Sequence, residues 1–362
     1  MLYKRNYREV ISRLSDLYSG NGLDKIYAVM KTPNPALEKY SAESAGGEVS
    51  YPDLQERADF WDSRLIHFKD LEDDSIPSSY LSELDEGLYG GLMGGEVRFL
   101  NFPATGWLSS MTVPFWEDLS RAGELTLPGP GNLWYDRMTR QMDLFGDACR
   151  GKHGCSHLIC IDVLNLLFEI RGGSNAYIDV LEEPETARLI FDYSVELNRL
   201  VQDSYFDRIG VIEGGTASNM LQWIPGRVIS ESVDPYHMTG RDMFEQFGRE
   251  YIERLISYYD GASIHVHANG YGHMLPYVST LRGLKAITLS DDQYNPRAID
   301  LLDKLQPQCN GVPITLSSVT YPEFINMLKA HSLPGNVLYV VSDVPSVSEA
   351  NRVMEIVRAY RT

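Results

Sequence analysis

From about residue 150 onward, short β-branched apolar runs alternate with segments of helical period 10–20 residues long, and this rhythm narrows the possible folds more than any other feature. The strand candidates are His157–Asp162, Arg208–Glu213, Arg227–Glu231, Ser263–His267, Lys285–Ser290, Pro313–Ser317 and Val337–Ser342. The helices between them have readable ends. Pro184 sits at a first-turn position and opens a helix towards Asp203. Thr239 can cap a helix whose Met243, Phe244, Phe247, Tyr251, Leu255 and Ile256 form one stripe, with Gly261 beyond its end. Pro322 opens another, and Ser346 with Glu349 reads as a capping box for the last.

Repeated strand–helix alternation requires a mostly parallel sheet, because each crossover helix returns the chain to the same end. With Val97–Phe102 added, the strands number eight. The expected fold is therefore α/β, a (β/α)8 TIM barrel over residues 91–362 with a helical N-terminal extension over residues 1–90 packed on it. An open doubly wound sheet is the competing arrangement.

Composition excludes several classes of function. The chain has 362 residues and a formal charge of −18, with no local run of Lys and Arg, so nucleic acid is not an expected partner. The N-terminus lacks the apolar core of a signal peptide, and the stretch His157–Ile170 is too short and too charged to span a membrane. Four cysteines without a CxxC pair point to reduced core or loop thiols and a cytoplasmic protein. Residues 53–86 hold eleven Asp and Glu against three Lys and Arg, which reads as a solvated helical face. The glycine-dense run at 87–95 permits close backbone approach but matches no phosphate-binding pattern.

Chemistry in a parallel barrel belongs at the carboxyl ends of the strands. Those ends carry Asp162, Glu213, Glu231 with Asp234 and His237, His265 and His267 with Asn269, Asp291-Asp292, and Asp343. Some are turn formers and helix caps, since Asp is common there. The sharpest signal is IHVHANG at 264–270: His265 and His267 are two apart in a strand and project from the same face. Such a pair suits zinc or a similar divalent metal, with Glu213 or Asp343 completing the ligands. The other reading makes one histidine a hydrogen-bonded core residue and the other a substrate contact. The segment 223–240 places Arg227, Glu231, Asp234 and His237 around one short strand, where an arginine can grip a carboxylate beside a general base. Arg227 can equally sit in an internal salt bridge. No GxSxG elbow and no cysteine beside a base argues for nucleophilic catalysis.

Three stretches resemble the uroporphyrinogen decarboxylase superfamily, which includes the decarboxylase and the zinc-dependent methyltransferases serving corrinoid proteins. They are FEIRGGSNAYIDVLEEPETARLIFDYSVELN at 168–198, the helix 243–259 leading into IHVHANG, and GNVLYVVSDVPSVSEANRVMEIVRAYR at 335–361. The similarity spans about residues 70–362 and implies a (β/α)8 barrel. The decarboxylase's arginine-rich motif after the first strand is absent from KIYAVMKTPNPALEKY. The methyltransferases' His-x-Cys reads here His265-Val266-His267, and Ser342-Asp343 stand where their second cysteine is expected, so implied metal ligands are N and O donors.

The leading expectation is zinc-assisted methyl transfer on a small polar substrate, with a corrinoid protein as a possible partner. His265, His267, Glu213 and Asp343 are then metal ligands, and Glu231, Asn269 and Arg227 contact substrate. The alternative is metal-free decarboxylation of an acidic substrate, with Arg227 holding a carboxylate and Asp291 or His237 donating a proton. A non-catalytic ligand-binding barrel is disfavoured, because so many ionisable groups at strand ends cost stability without a task.

Overall fold

A computed structural model describes all 362 residues. Seven parallel strands form the central sheet: β1 (Ile26–Met30), β2 (Ile159–Cys160), β3 (Val228–Glu231), β4 (Gly261–His267), β5 (Leu284–Ser290), β6 (Ile314–Thr320) and β7 (Val337–Ser342). Their spatial order is β1-β7-β6-β5-β4-β3-β2, so the order follows the sequence without reversal and the first strand lies against the last. A doubly wound sheet reverses direction part-way. This one does not.

Both faces of the sheet are buried, and the pleat divides them. In β1, Ile26, Ala28 and Met30 join the large apolar core shared with the helices, while Tyr27 and Val29 join a second, smaller cluster. The same alternation holds in β7, with Val337, Tyr339 and Val341 on one side and Leu338 and Val340 on the other. Val10, Leu14 and Leu17 of the helix Tyr7–Tyr18, with Leu221, Trp223 and Ile224, complete the smaller cluster. No helix is long and apolar enough to cross a membrane.

Four expectations are corrected. Ile26–Met30 is an edge strand of the central sheet, so the stretch 1–90 is not a purely helical extension and the boundary at 91 does not separate the sheet from what precedes it. Val97–Phe102 is a strand, but it pairs antiparallel with Gly47–Val49 and Trp107–Thr112 in a separate sheet. Arg208–Glu213 is not a strand. The helix from Pro184 runs on to Arg208, and Gly210 at φ 79° then turns the chain into a loop. The helix expected after Thr239 is two, Arg241–Phe247 and Arg249–Ile256, broken at Gly248.

The acidic stretch 53–86 is only partly a solvated face. Asp73, Asp74 and Glu83 are buried, and the first two hold the edge of the sheet together. Asp73 Oδ2 accepts from the Met30 amide at 2.7 Å and Asp74 Oδ2 from the Ala28 amide at 2.9 Å, while the Asp74 amide donates to the Ala28 carbonyl at 2.9 Å. Each carboxylate has its own cation: Lys4 Nζ is 2.6 Å from Asp73, Arg13 Nε is 2.6 Å from Asp74, and Arg57 pairs with Glu83. The glycine run serves packing. The helix Gly87–Leu92 lies directly on Trp107–Thr112, and a Cβ on Gly90 would come within 2.3 Å of Thr112 Oγ1.

Lys4 and Asp73 are fully buried, so removing the cation leaves an uncompensated charge in the core. Lys4→Met is expected to lower unfolding free energy by about 3–5 kcal/mol in chemical denaturation. A loss below 1 kcal/mol would show that the pair does not anchor this edge.

Candidate metal centre

The carboxyl ends of β3 and β4 bring one carboxylate and three imidazoles together. β4 ends at His267, and the pleat sends His265 and His267 to the face opposite Ile264 and Val266, which lie in the apolar core. After β3 the chain turns through a short 3-10 helix, Asp234–Met238, which carries Asp234 and His237 to the same place. His265 Nε2 lies 3.1 Å from Asp234 Oδ1, His267 Nε2 3.6 Å, and His237 Nδ1 3.9 Å. The donor atoms of Asp234, His265 and His267 all lie within 4.8 Å of one another.

A third group fixes one ring. Asp292 Oδ1 sits 2.7 Å from His267 Nδ1, which assigns the proton to that nitrogen and leaves Nε2 facing Asp234. Gly270, on the turn after His267, touches His237 so closely that a Cβ would lie 2.4 Å from its Cδ2. Burial would raise the Asp234 carboxyl, but hydrogen bonding and attraction from His265, with the charges of His267 and His237, overcome this and hold it below the usual carboxylate range. Burial pulls His237 down to about 4 despite the opposing pull of Asp234, so this imidazole is neutral near pH 7.

Burial disfavours the charged form of two carboxyls in this part of the fold. Burial raises Glu86 well above its ordinary range, reinforced by the charges of Asp85, Asp234, Glu169 and Asp162. Burial also raises Glu231, with Asp162 adding repulsion. Sequence reasoning missed Asp85 and Glu86, which lie before the strand–helix rhythm begins, at the start of the glycine-rich helix, and Glu169, which sits within the helix Val163–Arg171 and not at a strand end.

Of the residues picked from sequence, the fold gathers His265, His267 and His237. It does not gather Glu213 or Asp343 with them: both are exposed, at φ 49° and 60°, and Asp343 accepts only from Ser342 Oγ at 2.9 Å. Asp234, which stood among the candidates without being assigned as a ligand, takes their place. Arg227 is displaced most. It precedes β3 at the opposite end of the strand, exposed, 3.4 Å from Asp203 and stacked over Phe206. Glu231 pairs in register with Ile264, which puts it on the other face from His265. Asn269 is exposed on the following turn. Asp291 accepts from the Ala298 amide at 2.7 Å and acts as a helix cap, and Asp162 likewise caps the helix Val163–Arg171. The four cysteines are buried and free, and none joins the centre.

The donor set fits a metal. Asp234 Oδ1 is a buried oxygen set among three imidazole nitrogens at 3.1, 3.6 and 3.9 Å, an arrangement that a cation shared with His265 and His267 would complete. Two imidazoles and one carboxylate, with one imidazole backed by a second carboxylate, match an open zinc site.

No family model matches the sequence, and no curated protein is detectably similar to it. The fold does have solved counterparts. A methyltransferase from Methanosarcina mazei superposes with a TM-score of 0.59 over 97% of this chain and 98% of that one, at 10% sequence identity. The two chains share a fold.

His237 makes the centre sensitive to acid in the metal-free protein. Its pKa falls from 6.5 unfolded to about 4 folded, so its contribution to stability is complete above pH 6.5 and is lost as the pH drops from there towards 4. The loss from this one group is roughly 3 kcal/mol at most. His237→Gln is expected to flatten the fall of the urea midpoint between pH 7 and pH 4.5, and parallel curves would refute the assignment.

Proposed function

We propose that the protein is a metal-dependent methyltransferase, with zinc held by Asp234, His265 and His267 and a small polar molecule as methyl acceptor. The observation that carries this reading is the convergence of the two histidine Nε2 atoms on Asp234 Oδ1, at 3.1 and 3.6 Å, at the carboxyl end of a parallel sheet. The fold shared with the Methanosarcina methyltransferase and the earlier resemblance agree with it. We also propose that the sheet closes as a full barrel. The parallel pair Ser78–Tyr80 and Gly154–Ser156, which leads by sequence into β2, and the Asp74 bonds to Ala28 of β1 support this reading.

Bound zinc supplies Lewis acidity that lowers the pKa of a coordinated nucleophile. The residues do the rest. Asp292 holds His267 in one tautomer, so its Nε2 stays directed at the centre. An acceptor loses a proton as it takes a methyl group, and His237 is neutral and 3.9 Å from Asp234, which offsets the charge His237 gains. Burial and the surrounding carboxylates favour the neutral form of Glu86, which can donate a hydrogen bond. A corrinoid protein is the methyl donor this reading favours. Decarboxylation loses its carboxylate anchor, because Arg227 lies at the far end of the strand.

About one zinc per chain is expected after extensive dialysis, measured by elemental analysis. His265→Ala and His267→Ala should abolish it, and Asp292→Asn should weaken zinc affinity about 10–100-fold. Glu213→Ala and Asp343→Ala should leave it unchanged. With methylcobalamin as donor and small thiols and amines as acceptors, loss of the methyl–cobalt absorbance should depend on zinc and on His265. Zinc retained by both histidine variants would contradict the centre, and zinc without any methyl transfer would contradict the reaction.

A further inference from the structure

A cavity of about 380 Å³ lies under the helix Leu54–Leu65, beside the end of β1 and the strand Ser78–Tyr80, and shares no lining residue with the metal centre. Its walls are apolar and aromatic, with Trp61, Phe68, Tyr80 and Trp107 among them. Its charged and titratable groups are all basic or neutral: Lys31, Arg64 and His67 line it, and not one Asp or Glu does. That is unexpected in a chain with 50 acidic residues and a net charge of −18.

Elsewhere this protein gives its enclosed cations a carboxylate. Lys4, Arg13, Arg57 and Arg171 pair with Asp73, Asp74, Glu83 and Asp179. Arg64 instead donates to the Thr105 carbonyl at 2.7 Å and lies over Trp61, with no carboxylate in reach. Lys31 has no side-chain partner, although it is close enough to Arg64 to feel its charge. Burial, then the nearby Arg57, pulls Arg64 down to about 10. Lys31 reaches solvent through the cavity mouth, but the protein around it and the charge of Arg64 still lower its pKa. Two like charges held together at one cavity are a standing electrostatic cost that an anion removes.

We propose that this cavity is a second binding site, for an organic anion whose carboxylate or phosphate lies between Lys31 and Arg64 and whose flat apolar body packs among Trp61, Tyr80 and Trp107. A guanidinium offers a planar fork to such a group, and the ammonium adds a point charge. The volume suits a ligand of two fused rings with one charged substituent. None of its lining residues is a proposed metal ligand, so anion binding and metal binding can be tested separately.

Calorimetric titration of the full chain tests it with 2-naphthoate, 2-naphthyl phosphate and the uncharged 2-naphthalenemethanol, before and after treatment with a chelator. At least one anion is expected to bind ten times or more tighter than the alcohol, equally in both preparations. Lys31→Met and Arg64→Met should each erase most of that preference and leave alcohol binding as it was. If Arg64→Met fails to fold through loss of its bond to Thr105, Lys31→Met alone carries the test. Equal binding of anions and alcohol, no binding of any probe, or an unchanged preference in Lys31→Met would overturn the proposal.

Discussion

A buried carboxylate oxygen must face positive charge or be neutralised, and Asp234, 36% exposed as a side chain, has one such oxygen, Oδ1, turned into a cluster of imidazoles. Its Oδ1 has three imidazole nitrogens within 4 Å. The surrounding chain is arranged to keep it there. The pleat of β4 points His265 and His267 inward together, Asp292 orients one of them, and Gly270 gives way to the ring of His237. Burial and mutual repulsion disfavour further negative charge on Glu86. Each of these choices is costly for a core that only had to be stable, and each is consistent with a cation at Asp234.

The same economy of charge runs through the fold. Asp73 and Asp74 occupy the edge of β1 and satisfy its amides with carboxylate oxygens, and Lys4 and Arg13 neutralise them. Where the pattern is broken, at Lys31 and Arg64, a cavity opens in front of the unpaired cations.

Much of the fold was legible from the chain because periodicity and end signals agreed over residues 223–362. Six of the seven sheet strands were readable in outline there or at 157–162, and the helices from Pro184, Tyr321 and Val347 start where Pro184, Pro322 and Ser346 place them. Ile26–Met30 and Val337–Ser342 show the limit. Each is a short apolar run followed by a capped helix, Asn34 before Pro35–Glu43 and Ser346 before Val347–Ala359, but the first stands alone before residue 150, outside the repeated rhythm that marks the second as a sheet strand. The centre was half legible. Strand spacing alone paired His265 with His267. Choosing Asp234 over Glu213 and Asp343 depends on the path of a short 3-10 turn, and rejecting Arg227 depends on which end of β3 it occupies. The second cavity left no trace in sequence, because Lys31, Arg64 and Trp107 are brought together only by tertiary packing.

The most direct test of the account is zinc-edge X-ray absorption on the protein purified without a histidine tag and loaded with one equivalent of zinc. Asp234, His265 and His267 predict a shell of nitrogen and oxygen scatterers at about 2.0–2.1 Å, with imidazole multiple scattering from two rings and no sulfur. A sulfur shell at about 2.3 Å, or a spectrum of hydrated zinc without imidazole, would contradict it.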